Sequence, residues 1–120
     1  AHVGHWPFRR HGCEAIARLV ERLAAAGVAE AWAGSFEGVF HEDVAGANAR
    51  LADECRTTGG RLLPVGAVNP RLPAWRDDVR RCRETAAMFA VRLYPGYHGY
   101  TPADPVFAEA LSTATTVGLL

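Results

Sequence analysis

The sequence predicts a parallel α/β fold, four strand–helix units in one domain over residues 1–120, and three observations predict it. Apolar runs of strand length alternate with stretches whose apolar residues recur at helical spacing. The units repeat every 25 to 35 residues or so, roughly the span of a right-handed βαβ crossover and too long for hairpins. The run Met88-Phe89-Ala90-Val91-Arg92-Leu93 is apolar but for one charge, the pattern of a strand covered on both faces.

Taken in order, Ala1 to His5 is the carboxyl end of a strand and Trp6-Pro7-Phe8-Arg9-Arg10 the loop after it. From Gly12 to Ala26 the residues Ile16, Leu19, Val20 and Leu23 form the apolar side of a helix, with Gly27 placed as its C-cap. Val28 to Ala33 suits a short strand, and Phe36 to Val39 a loop. A second helix over His41–Thr58 carries an apolar stripe of Phe40, Val44, Ala47, Leu51 and Cys55 and stops at Gly59-Gly60. Leu62 to Val68 is the third strand despite Pro64, which donates no ladder bond. The next helix opens near Pro73, with Trp75, Val79, Cys82 and Ala86 on one side. The fourth strand runs to Tyr94, and Pro95 and Gly96 end it. Asp104-Pro105 is a capping side chain followed by proline at the first helical position, opening a helix whose apolar side is Phe107, Ala110, Leu111 and Ala114. Leu119-Leu120 reads as the start of a fifth strand. Two architectures fit, half of a (β/α)₈ barrel or a small open doubly wound sheet. A chain that opens within one strand and closes at the start of another favours the half barrel.

The chain is 49% hydrophobic and 22% charged with a formal net charge of zero, which gives nucleic acid or an anionic membrane nothing to grip. It contains no apolar run of bilayer length and no signal-peptide pattern, so a cytoplasmic protein with neither nucleic acid nor membrane as partner is expected. Cys13, Cys55 and Cys82 lie in helical patterns without a Cys-x-x-Cys pair and read as buried free thiols. All 13 basic residues are arginine, which removes lysine chemistry: no Schiff base, no P-loop lysine and no carbamylated lysine between two metals.

Four segments, Gly4-His5-Trp6-Pro7-Phe8-Arg9, Ala33-Gly34-Ser35-Phe36-Glu37, Leu63-Pro64-Val65-Gly66-Ala67-Val68-Asn69-Pro70 and Val91-Arg92-Leu93-Tyr94-Pro95-Gly96-Tyr97-His98-Gly99-Tyr100, resemble in order those of the amidohydrolase-related family of TIM barrels. That family holds metal-dependent hydrolases, decarboxylases and metal-independent lactonases. The resemblance spans nearly the whole chain and implies the amino-terminal half of such a barrel, acting when complete on a small carboxylated or carbonyl substrate; the alternative of a different class is a non-catalytic α/β interaction module on the same half-barrel frame. It also implies a divalent metal, zinc in the first place. The family's ligands are a His-x-His pair on the first strand, histidines on the fifth and sixth and an aspartate on the eighth. Only His2 falls on such a position, as the second of the pair, while His5 does not match. With one ligand of that kind, the chain alone is expected to lack activity.

Loops at the carboxyl ends of parallel strands are where ligands bind in α/β folds, so the substrate candidates are Arg92, Tyr94 and His98. Arg92, the one charge in its strand, needs a carboxylate or a ligand anion to offset its burial, and Glu30 is the structural alternative. Tyr94 shares its face by the two-residue period, with Val91 and Leu93 on the other. His98 suits acid, base or donor work or simply caps its loop, and Tyr97 and Tyr100 offer rings. Trp6 and Phe8 read equally as packing, and Glu37, Glu42 and Asp43 as charges at a helix start. Unpaired sheet edges beside Leu119 and Leu120 favour a homo-oligomer.

Overall fold

A computed structural model describes residues 1–8 and 15–120. The elements are β1 (His2–Val3), α1 (Ile16–Ala25), β2 (Ala31–Ser35), α2 (Glu37–Phe40), α3 (Val44–Arg56), β3 (Leu62–Val68), α4 (Trp75–Glu84), β4 (Ala90–Leu93) and α5 (Pro105–Thr116). All pairings are parallel, and the order across the sheet, β1-β2-β3-β4, is the order in the chain. The α/β class and the strand–helix alternation are therefore as the spacing predicts. The expected helix start at Gly12, the loop residues Arg9 and Arg10, and Cys13 lie outside the described residues.

The second strand begins later than its apolar run. Gly27, at φ +76°, reverses the chain after α1, and the Val28 N–H returns to the Leu23 carbonyl, so residues 28–30 are spent on the turn. At its far end β2 continues through Gly34 and Ser35, because these pair with His2 and Val3. Residues 36–39, expected as a loop, instead enter the short helix α2. The Ser35 hydroxyl accepts the Glu37 N–H, and the Phe36 N–H goes to the Val3 carbonyl. Phe40 accordingly belongs to α2 and stands 38% exposed, outside the stripe of α3 that its spacing suggested. Asp43 caps α3 by accepting the Gly46 N–H at 2.9 Å. Pro64 is tolerated because it falls at the last β2–β3 pair, one residue before β3–β4 pairing begins at Val65↔Ala90. Asp104 precedes α5, yet its carboxylate accepts from the Thr101 N–H and not from the helix. Leu120 exchanges backbone hydrogen bonds with Phe89 and Val91, extending the sheet past β4.

The core lies between the sheet and the helices. Val3, Ala33, Leu62 and Val68 from the strands meet Leu19 of α1, Leu51 and Cys55 of α3, Trp75, Val79 and Cys82 of α4, and Ala110 and Ala114 of α5. Packing is close where α4 crosses β3: a Cβ on Gly66 would come within 2.7 Å of Cys82 Sγ and 2.8 Å of Met88 Sδ. Cys55 and Cys82 are free and buried, and burial first of all pushes their thiols up, to about 11 and about 12, so neither is a nucleophile at neutral pH.

The opposite face of the sheet is concave. Three strand spacings on a flat sheet cover about 14 Å. Arg92 of β4 nevertheless reaches His2 of β1, Nη1 to Nε2, at 3.0 Å. Two intervening strands are bridged only because the sheet curls and because small residues line the way. A Cβ on Gly34 would already touch the His2 ring and the Tyr94 hydroxyl, both at 3.4 Å. No helix among the described residues is long and apolar enough to cross a membrane.

Candidate functional site

His2, Arg92 and Tyr94 meet at the carboxyl ends of β1 and β4, on the concave face. His2 and Arg92 lie on strands, and the two-residue period carries Tyr94, just past the end of β4, to the same side as Arg92. Val91 and Leu93 pack against the core on the other side, as that period requires. His2 Nε2 has the Arg92 guanidinium at 3.0 Å and the Tyr94 hydroxyl at 3.1 Å. A guanidinium only donates, so Nε2 is the acceptor and the imidazole proton sits on Nδ1. One lone pair therefore faces two donors.

Electrostatics hold this arrangement in one protonation state. Burial first, then the charges of Arg92 and of the amino terminus, lower the His2 pKa to about 4, so the ring is neutral at pH 7. Burial raises the Tyr94 phenol above its usual value, with Arg92 opposing, so it keeps its proton. Arg92 forms no ion pair with any described residue. The structural alternative, Glu30, is exposed in the turn before β2 and does not pair with it. Guanidinium, phenol and imidazole N–H thus make a group rich in donors, with a single nitrogen to receive them.

Around the trio stands a wall of rings. Phe36 stacks on His2 with centroids 4.9 Å apart and planes at 14°. Trp6 meets Phe36 and Phe40 at 5.1 Å each and Tyr97 at 6.2 Å, and Phe40 meets Tyr97 at 5.6 Å. Trp6 and Phe8, read from sequence as packing, do touch each other, though Phe8 is largely exposed. His98 meets the trio through Tyr94, edge to face at 5.7 Å, and is 8% exposed. Its Nε2–H donates to the Val39 carbonyl at 3.1 Å, tying the loop to α2, which leaves Nδ1 buried without a partner among the described residues. Burial, chiefly, lowers its pKa. Tyr97 is exposed and Tyr100 is buried. Glu37 pairs with Arg50 at 2.7 Å, which accounts for it as a surface charge.

Phe36 and Gly34 are the site residues that sequence reasoning passes over. A ring directly after a strand-ending Gly-Ser was the available signal. The one imidazole nitrogen of His2 that points to the mouth is held by a cation, and no three His, Cys, Asp or Glu side chains come together among the described residues. These residues do not fit a metal centre by themselves.

The lowered His2 pKa has a consequence for stability. An unfolded chain takes up the proton near 6.5, the folded one only near 4, so the contribution of His2 is complete above about pH 6.5 and is lost as pH falls through 4. Allowing for the half-exposed ring, its size is on the order of 1–2 kcal/mol. Urea midpoints of the wild type and His2→Gln should diverge above pH 6 and converge near pH 4. Parallel profiles would show that the ring titrates normally.

Compared with protein-family models, curated proteins and solved structures, the chain matches none.

Proposed function

We propose that the strand mouth binds the carboxylate of a small planar substrate, in the amino-terminal half of a (β/α)₈ barrel of the amidohydrolase-related kind, and that the complete enzyme hydrolyses a bond next to that group. The observation that carries this reading is Arg92: a half-buried guanidinium without a described carboxylate, backed by a phenol that keeps its proton. The curl that brings β1 to β4 and the parallel extension at Leu120 support the half barrel. A carboxylate would take the guanidinium in a two-pronged hydrogen bond and the Tyr94 O–H as a third. Phe36 and Trp6 offer ring faces to its π system.

Binding also changes His2. A carboxylate on Arg92 cancels one of the charges that, after burial, depress the imidazole, and it draws the guanidinium off Nε2, which becomes a stronger base able to take a proton from attacking water. Substrate thereby makes its own general base. Because Arg92 holds the His2 nitrogen, the contact favours the family's metal-independent, lactonase-like chemistry over the zinc-dependent kind, and no step here is routed through a metal.

Titration of the chain with benzoate and with benzamide, followed through the ¹⁵N shifts of the His2 ring, tests this. Benzoate should bind at least tenfold more tightly and raise the His2 pKa above about 4, by the part of the depression that the Arg92 charge causes. Equal binding of the two, or benzoate binding that leaves the His2 titration in place, would overturn the reading.

A further inference from the structure

Away from the strand mouth, between α3 and α4, lies a cavity of about 340 Å³ with an unusual polar lining. Ala45 and Ala49, one turn apart on α3, are too small to reach α4 and leave the space open. Asp78 and Arg81 line the α4 side. Asp78 is 6% exposed, yet its carboxylate makes no hydrogen bond and no ion pair with any described residue. A carboxylate so enclosed loses part of its hydration without a compensating partner, a cost that a cationic occupant of the cavity would offset.

The same chain shows what this spacing does elsewhere. Asp53 pairs with Arg56, and Asp77 with Arg80, both three residues apart on a helix. Asp78 and Arg81 have the same spacing and stay open, both facing one cavity. The rest of the lining is Gly46, Cys82, Thr85 and Ala86 together with Asn48, whose amide is already engaged by Ala67, and Asp43, whose carboxylate caps α3. Burial pushes the Asp78 carboxyl up, with Asp77 and Asp43 adding to it and Arg81 opposing; an approaching cation would reverse that penalty.

We propose that this cavity binds a free apolar α-amino acid of about leucine size, its ammonium on Asp78, its carboxylate on Arg81 and its side chain against Ala45, Ala49 and Ala86. A carboxylate and a guanidinium one helical turn apart, beside a hollow floored by alanines and with Asp43 as a further carboxylate in the lining, match the adjacent ammonium and carboxylate of an α-amino acid with a hydrocarbon side chain. A volume of about 340 Å³ lies at the small end of the range for ligand pockets. The site is independent of the carboxylate mouth, since Asp78 and Arg81 belong to the helix layer and His2 and Arg92 to the concave face of the sheet.

Calorimetric titration of the whole chain with L-leucine, isoamylamine and 4-methylvalerate decides the matter. Leucine should bind saturably with one site per chain. The amine and the acid, each lacking one charge, should bind at least tenfold more weakly. Asp78→Asn and Arg81→Gln should each weaken leucine at least tenfold while benzoate binding at the mouth is unchanged. Circular dichroism checks the fold of both variants, and Arg81→Gln, at an exposed position, decides alone if Asp78→Asn does not fold. Absence of saturable leucine binding, amine binding as tight as leucine, or leucine binding unaffected in Arg81→Gln would each overturn the proposal.

Discussion

Replacing Asn48 with alanine should destabilise the chain by about 3–5 kcal/mol, a large share of what a domain of this size has to lose. Asn48 is 4% exposed on α3, and every polar atom of its amide is in use. Nδ2 donates to the Ala67 carbonyl at 2.8 Å and lies 3.3 Å from Cys82 Sγ, and Oδ1 accepts the Ala67 N–H at 2.8 Å. Pairing of β2 with β3 has ended at Ala33↔Pro64, so the amide does there what a strand would do. Truncation leaves two buried backbone groups unpaired, each costing about 1–3 kcal/mol, and opens a small void besides. The effect reaches the mouth, because Ala67 is the register partner of Arg92. The urea unfolding midpoint measures it. A loss under 1 kcal/mol would mean that water or a rearranged backbone serves Ala67 equally well.

Arg92→Ala should weaken benzoate binding by about 1.5–3 kcal/mol, roughly 10- to 150-fold, and leave benzamide nearly untouched. Since no described carboxylate depends on Arg92, the melting temperature should fall little. With the guanidinium gone, the His2 pKa should rise, because one of the charges that lowers it has been removed. Arg92→Lys should recover only part of the affinity: an ammonium supplies the charge without the planar fork. Equal losses for benzoate and benzamide together with a steep drop in melting temperature would place Arg92 in the frame and not in the site.

These two residues differ in how far sequence alone reveals them. Arg92 stands out as the one charge in an apolar run, and the two-residue period sends Tyr94 to its side, so half the mouth can be read directly. His2 is singled out only through the resemblance, and its contact with Arg92 spans 90 residues and two strands and depends on curvature that no local pattern encodes. Asn48 sits among Val44, Ala47, Leu51 and Cys55 on the apolar stripe of α3, and a lone amide there was the clue to a backbone partner. From its setting His98 could be acid, base, donor or loop cap; the bond to Val39 shows what its buried ring holds. The helices were legible wherever an apolar stripe ran for three turns. The single turn of α2 was not, since it is held by Ser35 and Val3 and not by its own spacing.

A sheet whose strand order repeats chain order has a consequence for biosynthesis. Each strand pairs with the one made just before it, so no earlier pair must open to admit a later strand. A growing chain can add one strand–helix unit at a time onto a surface already formed, and the loops to be closed stay short at every step. Ribosomal emergence from the amino end follows the same sequence as assembly, and the long waits that expose unpaired strands in folds with interleaved order do not arise here.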